Sequence, residues 1–139
     1  MDIKDLLNEK IVTVEMDDSL RVVKEIFDNT NFHHLLVVER GKLYGVISDR
    51  DLLKAINPNI GTIRETVQDA AVLNKKVHQI MTRKLITLGL DASFYDVLEI
   101  FDQHKVSCIP IVDAEKKALG IISWRDILRA IKSDLDERR

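Results

Sequence analysis

The chain has 139 residues, of which 45% are apolar and 32% charged, and a formal charge of −2. That is one domain's worth of chain, long enough to bury a core without disulfides or metals. The near-neutral balance argues against the broad basic field that non-specific nucleic-acid binding needs, and a single cysteine, Cys108, leaves no intrachain disulfide to form.

In chain order, Ile3, Leu6 and Leu7 put an apolar stripe on a short opening helix. Met1-Asp2-Ile3-Lys4-Asp5 lacks the apolar stretch of a signal peptide, and no run approaches the ~20 apolar residues of a membrane span. A cytoplasmic protein with no membrane contact is the expectation. Residues 11–14 read as a strand, and Asp18 or Ser19 as the cap of a helix carrying Leu20, Val23, Ile26 and Phe27 at helical spacing. Residues 35–38 and 43–47 read as two strands around Arg40-Gly41-Lys42, a hairpin signal, with the continuous apolar run of a strand buried on both faces. Next comes Ser48-Asp49-Arg50-Asp51, opening a helix with Leu52, Leu53 and Ile56 inward. Asn57-Pro58-Asn59-Ile60-Gly61 is a break. Residues 62–76 suggest a polar extra helix, with Ile63, Val67, Ala70, Ala71 and Leu73 as its packing side.

The order then starts again. Val77, Ile80 and Met81 repeat the opening stripe, and residues 85–88 repeat the first strand. Ser93 caps a helix with Phe94, Val97, Leu98 and Phe101 inward. Strands follow over 108–112 and 118–122, then a helix with Ile127, Leu128 and Ile131, then a charged tail expected to fray. The correspondence is residue by residue. Gly45-Val46-Ile47-Ser48-Asp49-Arg50-Asp51-Leu52-Leu53 returns as Gly120-Ile121-Ile122-Ser123-Trp124-Arg125-Asp126-Ile127-Leu128. Val-Lys-Glu-Ile-Phe-Asp at 23–28 returns as Val-Leu-Glu-Ile-Phe-Asp at 97–102, and one inserted residue near Lys117 keeps the register. Internal repetition of this kind makes each copy a unit that needs the other to cover its apolar face. The expected fold is α/β (α+β): repeat one at 1–57, a linker with an extra helix at 58–76, repeat two at 77–132 and a tail at 133–139. Each repeat would read helix-strand-helix-strand-strand-helix, the two packed with pseudo-twofold symmetry.

The Ser-x-Arg-Asp turns carry the chemistry. A helix N-terminus presents unpaired N–H groups and favours an anion. The Ser hydroxyl can donate, Arg50 and Arg125 can add charge, and an Asp carboxylate matches a vicinal diol. Gly45 and Gly120 would let a ligand approach the backbone. The competing reading is local, because Ser followed three residues later by Asp is also a helix-capping arrangement. His33-His34 is a poor metal site, since neighbours on a strand point to opposite faces. His78 and His104 read as solvated surface. Trp124 could cover a cleft mouth, sit in a subunit contact or be partly buried. Cys108 reads as a core thiol, and no nucleophile–base pair or phosphate loop supports an enzyme.

With the duplicated Gly-h-h-Ser-x-Arg-Asp-h-Leu turn (h, apolar), Thr13 and Thr87 after the first strands, and Val106-Ser107-Cys108-Ile109-Pro110-Ile111-Val112-Asp113, the chain resembles the CBS domain family. Two tandem copies would make one CBS pair, a Bateman module. That resemblance implies an adenosine-type regulatory ligand (AMP, ADP, ATP or S-adenosylmethionine) in clefts between repeats, and no obligatory cofactor. It implies Asp51 and Asp126 on the ribose and Ser48 and Ser123 toward phosphate. Val12-Thr13 with Leu35-Leu36, and Ile86-Thr87 with Ile109-Pro110, would frame the base. His33 and His34 stand where the family often places basic residues before the second strand; Ser107 and Cys108 stand there in the second copy. A homodimer signalling to a separate effector protein is implied. The alternative is a ligand-free structural or protein-interaction module.

Overall fold

The computed structural model describes residues 2–56 and 58–139, and these fall into two compact units, 12–84 and 2–11 with 85–139. Asn57, at the expected break, and Met1 of the N-terminal reading lie outside the described residues.

In the unit 12–84, β1 (Thr13–Val14), β2 (His34–Glu39) and β3 (Lys42–Ser48) form one sheet in that order. β1 runs parallel to β2, and β2 antiparallel to β3. Leu35, Leu36 and Val37 are consecutive and all buried, as the unbroken apolar run requires. The β2–β3 hairpin closes through Arg40 (φ 53°) and Gly41 (φ 81°), a pair of left-handed residues whose twist matches that of the strands. α2 (Leu20–Asn29), α3 (Asp49–Ala55) and α4 (Val67–Val72) complete the unit. Its core joins Leu20, Val23, Leu35, Val37, Ile47 and Leu52.

The other unit has β4 (Cys108–Val112) antiparallel to β5 (Ala118–Ser123), with α1 (Ile3–Leu6), α5 (Phe94–Gln103) and α6 (Trp124–Glu137). Ile3, Leu6, Val97, Phe101, Ile109, Ile111, Ile122 and Ile127 form its core. Both hairpins carry a register shift just before the motif glycine, between Val37 and Val38 and between Ile111 and Val112. The inserted residue lengthens the second hairpin's loop, where Asp113 Oδ1 accepts from the N–H groups of Glu115 (2.8 Å) and Lys117 (2.9 Å).

Sequence repeats and compact units divide the chain differently. Each repeat's opening segment packs with the other repeat's sheet. Asn8 N–H donates to Ile121 O and Ile121 N–H to Asn8 O, both at 3.1 Å. Thr82 N–H donates to Val46 O (2.8 Å) and Val46 N–H to Thr82 O (3.1 Å). The motif glycines make this possible. A Cβ on Gly120 would lie 2.8 Å from Asn8 O and collide with Leu7; one on Gly45 would lie 3.0 Å from Thr82 O and 2.7 Å from Met81 Sδ. Gly45 and Gly120 therefore admit a crossing chain, where a ligand's approach was expected.

Other expectations change for physical reasons. Residues 85–88 form no strand; only Leu88 bridges to Ile111. In the first repeat Leu36 N–H donates to Val12 O (3.2 Å); Pro110 holds the matching place and has no N–H to give. The second opening helix is a single 3-10 turn, Val77–Gln79. Neither Asp18 nor Ser19 caps α2 through its side chain; the first N–H groups instead donate to the segment that follows α4, Leu20 to Lys75 O (2.9 Å) and Arg21 to Leu73 O (3.0 Å). The extra helix shrinks to α4, begun by a Thr66–Asp69 capping box. Of its expected packing side only Leu73 is buried, while Ile63, Val67 and Ala71 are exposed. Leu53 and Leu128, read as inward, face solvent. The tail continues α6 to Glu137, held by Lys132–Asp136 (3.0 Å) and Arg138–Asp134 (3.2 Å).

Gly120→Ala should destabilise the protein by about 1–3 kcal/mol through overpacking, measured by urea unfolding. Amide exchange at Asn8 and Ile121 should accelerate with it. A loss below ~0.5 kcal/mol, the ordinary range of a surface change, would contradict the account.

Candidate functional site at the Ser-x-x-Asp turns

In the unit 12–84 most of the expected residues meet at one end of the sheet. Leu36 N–H reaches Val12 O (3.2 Å), Thr13 pairs with Leu36, Leu35 with Ile47, and His34 with Ser48. Asp49 N–H donates to His33 O at 3.0 Å. The start of β2, the start of β1 and the start of α3 therefore converge. Gly45 does not belong there, since it pairs with Val37 midway along the sheet. Arg50 is exposed.

The α3 turn is closed on itself. Ser48 N–H donates to Asp51 Oδ2 (2.8 Å) and Asp51 N–H donates to Ser48 Oγ (3.1 Å), a reciprocal capping box. His33 Nδ1 lies 2.8 Å from Asp49 Oδ2, a contact that the sequence reading missed. A histidine and an aspartate 16 residues apart gave no local signal. Burial pushes the His34 imidazole below its ordinary value; the Asp49 carboxylate opposes this, the His33 ring adds to it, and Asp51 opposes it weakly. His34 is therefore largely uncharged near neutral pH.

The second repeat places Cys108 opposite Ser123, Ile109 opposite Ile122 and Pro110 opposite Ile121, with Leu88 N–H donating to Pro110 O at 3.2 Å. Ile86 and Thr87 thus run in beside the start of β4, and Thr87 is exposed. Here the serine behaves differently. Asp126 is 8% exposed, and its Oδ2 accepts both Ser123 N–H (2.7 Å) and Ser123 O–H (3.0 Å). The hydroxyl accepts in the first copy and donates in the second. Arg129 Nη1 stands 3.9 Å from Asp126 Oδ1, one helical turn on. Arg125 is exposed, and Trp124 rests on Phe101 with ring centroids 4.8 Å apart. Cys108 is buried.

A shallow cavity of about 500 Å³ lies at the other end of this sheet, among Thr87, Leu88, Asp91, Val112 and Asp113. It takes in Thr87 but neither Ser123 nor Asp126. His78 is partly exposed, 3.9 Å from Asp17, and His104 is exposed at the end of α5. Among the described residues no group of three or more His, Cys, Asp or Glu could hold a metal. No described helix is long and apolar enough to cross a membrane.

A duplicated α/β unit with a Ser-x-x-Asp helix start at one end of each sheet defines a tandem-repeat module. The CBS domain model matches residues 3–58 and 77–133, and the chain belongs to the CBS domain family as a CBS pair. It is 28% identical, over 92% of its length, to the uncharacterized protein MJ0188 of Methanocaldococcus jannaschii, of which it spans 43%. It is 31% identical, over 91% of its length, to the L-aspartate semialdehyde sulfurtransferase of that organism, of which it spans 22%. The chain thus covers less than half of these relatives. The crystal structure of the CBS domain pair of protein MJ0100 in complex with 5′-methylthioadenosine and S-adenosyl-L-methionine matches with a TM-score of 0.78 and 27% identity, covering 96% of this chain and 98% of that one.

The His34 environment sets a pH dependence. Folding disfavours its proton, so the stability it contributes is present above the unfolded value of about 6.5 and is lost as pH falls through the lower folded value. The wild type should lose stability between pH 7 and 5, with a shallower slope in His34→Gln. Identical slopes in urea titrations would contradict it.

Proposed function

We propose that this chain is a regulatory CBS pair that binds an adenosine-type ligand (AMP, ADP, ATP or S-adenosylmethionine) at its Ser-x-x-Asp turns and hands the signal to a separate effector protein. The observation that carries the reading is the convergence, in each repeat, of a carboxylate, a serine hydroxyl and the adjoining strand starts. Support comes also from the MJ0100 pair, a relative in fold and sequence crystallised with two adenosyl compounds. In this reading Asp51 and Asp126 take the ribose hydroxyls. Ser48 and Ser123 turn toward phosphate or its replacement, and the backbone at Val12-Thr13 with Leu35-Leu36, or at Ile86-Thr87 with Ile109-Pro110, frames the base. The protein is a cytoplasmic homodimer without catalysis, and its ligand acts by binding two arrangements with different affinity.

The hydrogen bonds that close each turn on itself favour a second reading, in which the turns only start helices and the module holds other proteins. The two readings separate in one experiment. At about a hundred times its dissociation constant, a ligand stabilises the fold by roughly 2.7 kcal/mol, a midpoint shift of several degrees. Thermal unfolding with AMP, ADP, ATP, S-adenosylmethionine and GTP should show that shift with an adenosyl compound, and Asp51→Ala or Asp126→Ala should abolish it. No shift in the folded wild type leaves the turns as caps. In that case Asp51→Ala would lower stability by a cap's worth alone, about 0.5–2 kcal/mol.

A further inference from the structure

The two turns share their serine, arginine and aspartate but differ at the residue after the serine, Asp49 in the first copy and Trp124 in the second. In the first copy that residue is a second carboxylate. Its Oδ2 lies 2.8 Å from His33 Nδ1, and its N–H donates to His33 O at 3.0 Å. The Asp49 carboxylate is thereby fixed between Ser48 and the start of β2. His33, expected to meet a phosphate, is turned to an acidic group of its own chain instead. Asp49 and Asp51 both act on the ring of His34, which pairs with Ser48. Burial keeps that ring from supplying a compensating charge.

The second copy lacks the extra carboxylate. Trp124 rests on Phe101 with ring centroids 4.8 Å apart, and Ser107 and Cys108 stand in place of the two histidines. Asp126 is the one acid of its turn, and Arg129 Nη1 stands 3.9 Å from its Oδ1. The arginine of the motif, Arg50 or Arg125, is exposed in both copies and does not distinguish them. What distinguishes them is one fixed negative charge next to the serine hydroxyl.

We propose that the residue after the serine sorts ligands by charge. The first turn, with Asp49 held by His33, takes an adenosyl compound whose 5′ end is uncharged or a sulfonium, and the second turn takes one that carries phosphate. This rests on adenosyl binding at the turns and names the ligand class of each. In water, a like charge at about 6 Å weakens binding roughly threefold for each phosphate charge it meets. A triphosphate meets several, so Asp49 separates the two classes by about tenfold. Repulsion of the wrong ligand is the usual way that such a difference in affinity is built.

The test is an amide-resolved NMR titration with ATP and, separately, with 5′-methylthioadenosine, which has no charge at its 5′ end. It is run at low ionic strength and at pH 8, above the ordinary histidine range. Dissociation constants are read from the Ser48 and Asp51 amides for the first turn, and from the Ser123 and Asp126 amides for the second. The ratio of first to second should be about tenfold larger for ATP than for 5′-methylthioadenosine, and added salt should narrow the gap. Asp49→Asn, which keeps the size and removes the charge, should lower the ATP ratio at least threefold more than the other. Trp124→Asp, checked for folding by circular dichroism, should weaken ATP selectively at the second turn. Equal ratios for the two compounds, both compounds confined to one turn, or an Asp49→Asn that moves both ratios alike would overturn the proposal. Those results leave adenosyl binding standing, whereas no saturable binding of either compound overturns both readings.

Discussion

Each site turn is held by a carboxylate that hydrogen-bonds the serine starting its own helix. Asp51 and Asp126 are placed by this bond, and so are the strand end and helix start that meet there. A carboxylate left unpaired beside a helix N-terminus would be mobile or hydrated. Bonded to the Ser backbone N–H, it is oriented before anything arrives. The same bond limits the site, because a diol seeking Asp126 Oδ2 meets an oxygen already serving two donors. Asp51 Oδ2 serves the Ser48 N–H, and the Ser48 hydroxyl accepts from the helix instead. The two repeats thus carry one motif in two hydrogen-bonding states.

The glycine four positions upstream of each Asp-bearing helix has a separate job. It lets the opening segment of the other repeat form two backbone hydrogen bonds with the residue just after the glycine. Strand, turn and helix start follow within six residues of that crossing. Positioning of the turn therefore depends on a chain segment more than a hundred residues away in sequence for Asn8 and Ile121, and on a nearer one for Thr82 and Val46. The motif Gly-h-h-Ser-x-Arg-Asp reads physically as a packing contact, a residue that bonds the crossing segment, a core residue (Ile47 or Ile122), a hinge from strand to helix, and a carboxylate.

Much of this was legible in the sequence because it is local or periodic. The hairpins, α5 and its Ser93 cap, and the burial of residues 35–37 follow from alternation, turn chemistry and capping. The family was legible because the whole pattern occurs twice in register. What escaped depends on partners distant in sequence. The exchange of opening segments left only the two glycines as a trace, and these suited a ligand equally well. The lost strand at 85–88 was readable from Pro110, had its missing N–H been counted against the neighbouring strand. Exposure of Leu53, Leu128 and Val67 came out opposite because an apolar residue at helical spacing does not say which of two faces meets the core. His33 with Asp49 joins the end of one connection to the start of a helix, which spacing alone does not announce.

The most direct test of the central claim is an amide-resolved NMR titration of the wild type with S-adenosylmethionine and, separately, ATP. A ligand that engages the turns must disturb the hydrogen bonds that close them. The account predicts the largest shifts at the N–H groups of Ser48 and Asp51, or of Ser123 and Asp126, with the adjoining Leu36 or Leu88 following. Saturable binding with those amides unmoved, or no shift with either compound, would contradict it.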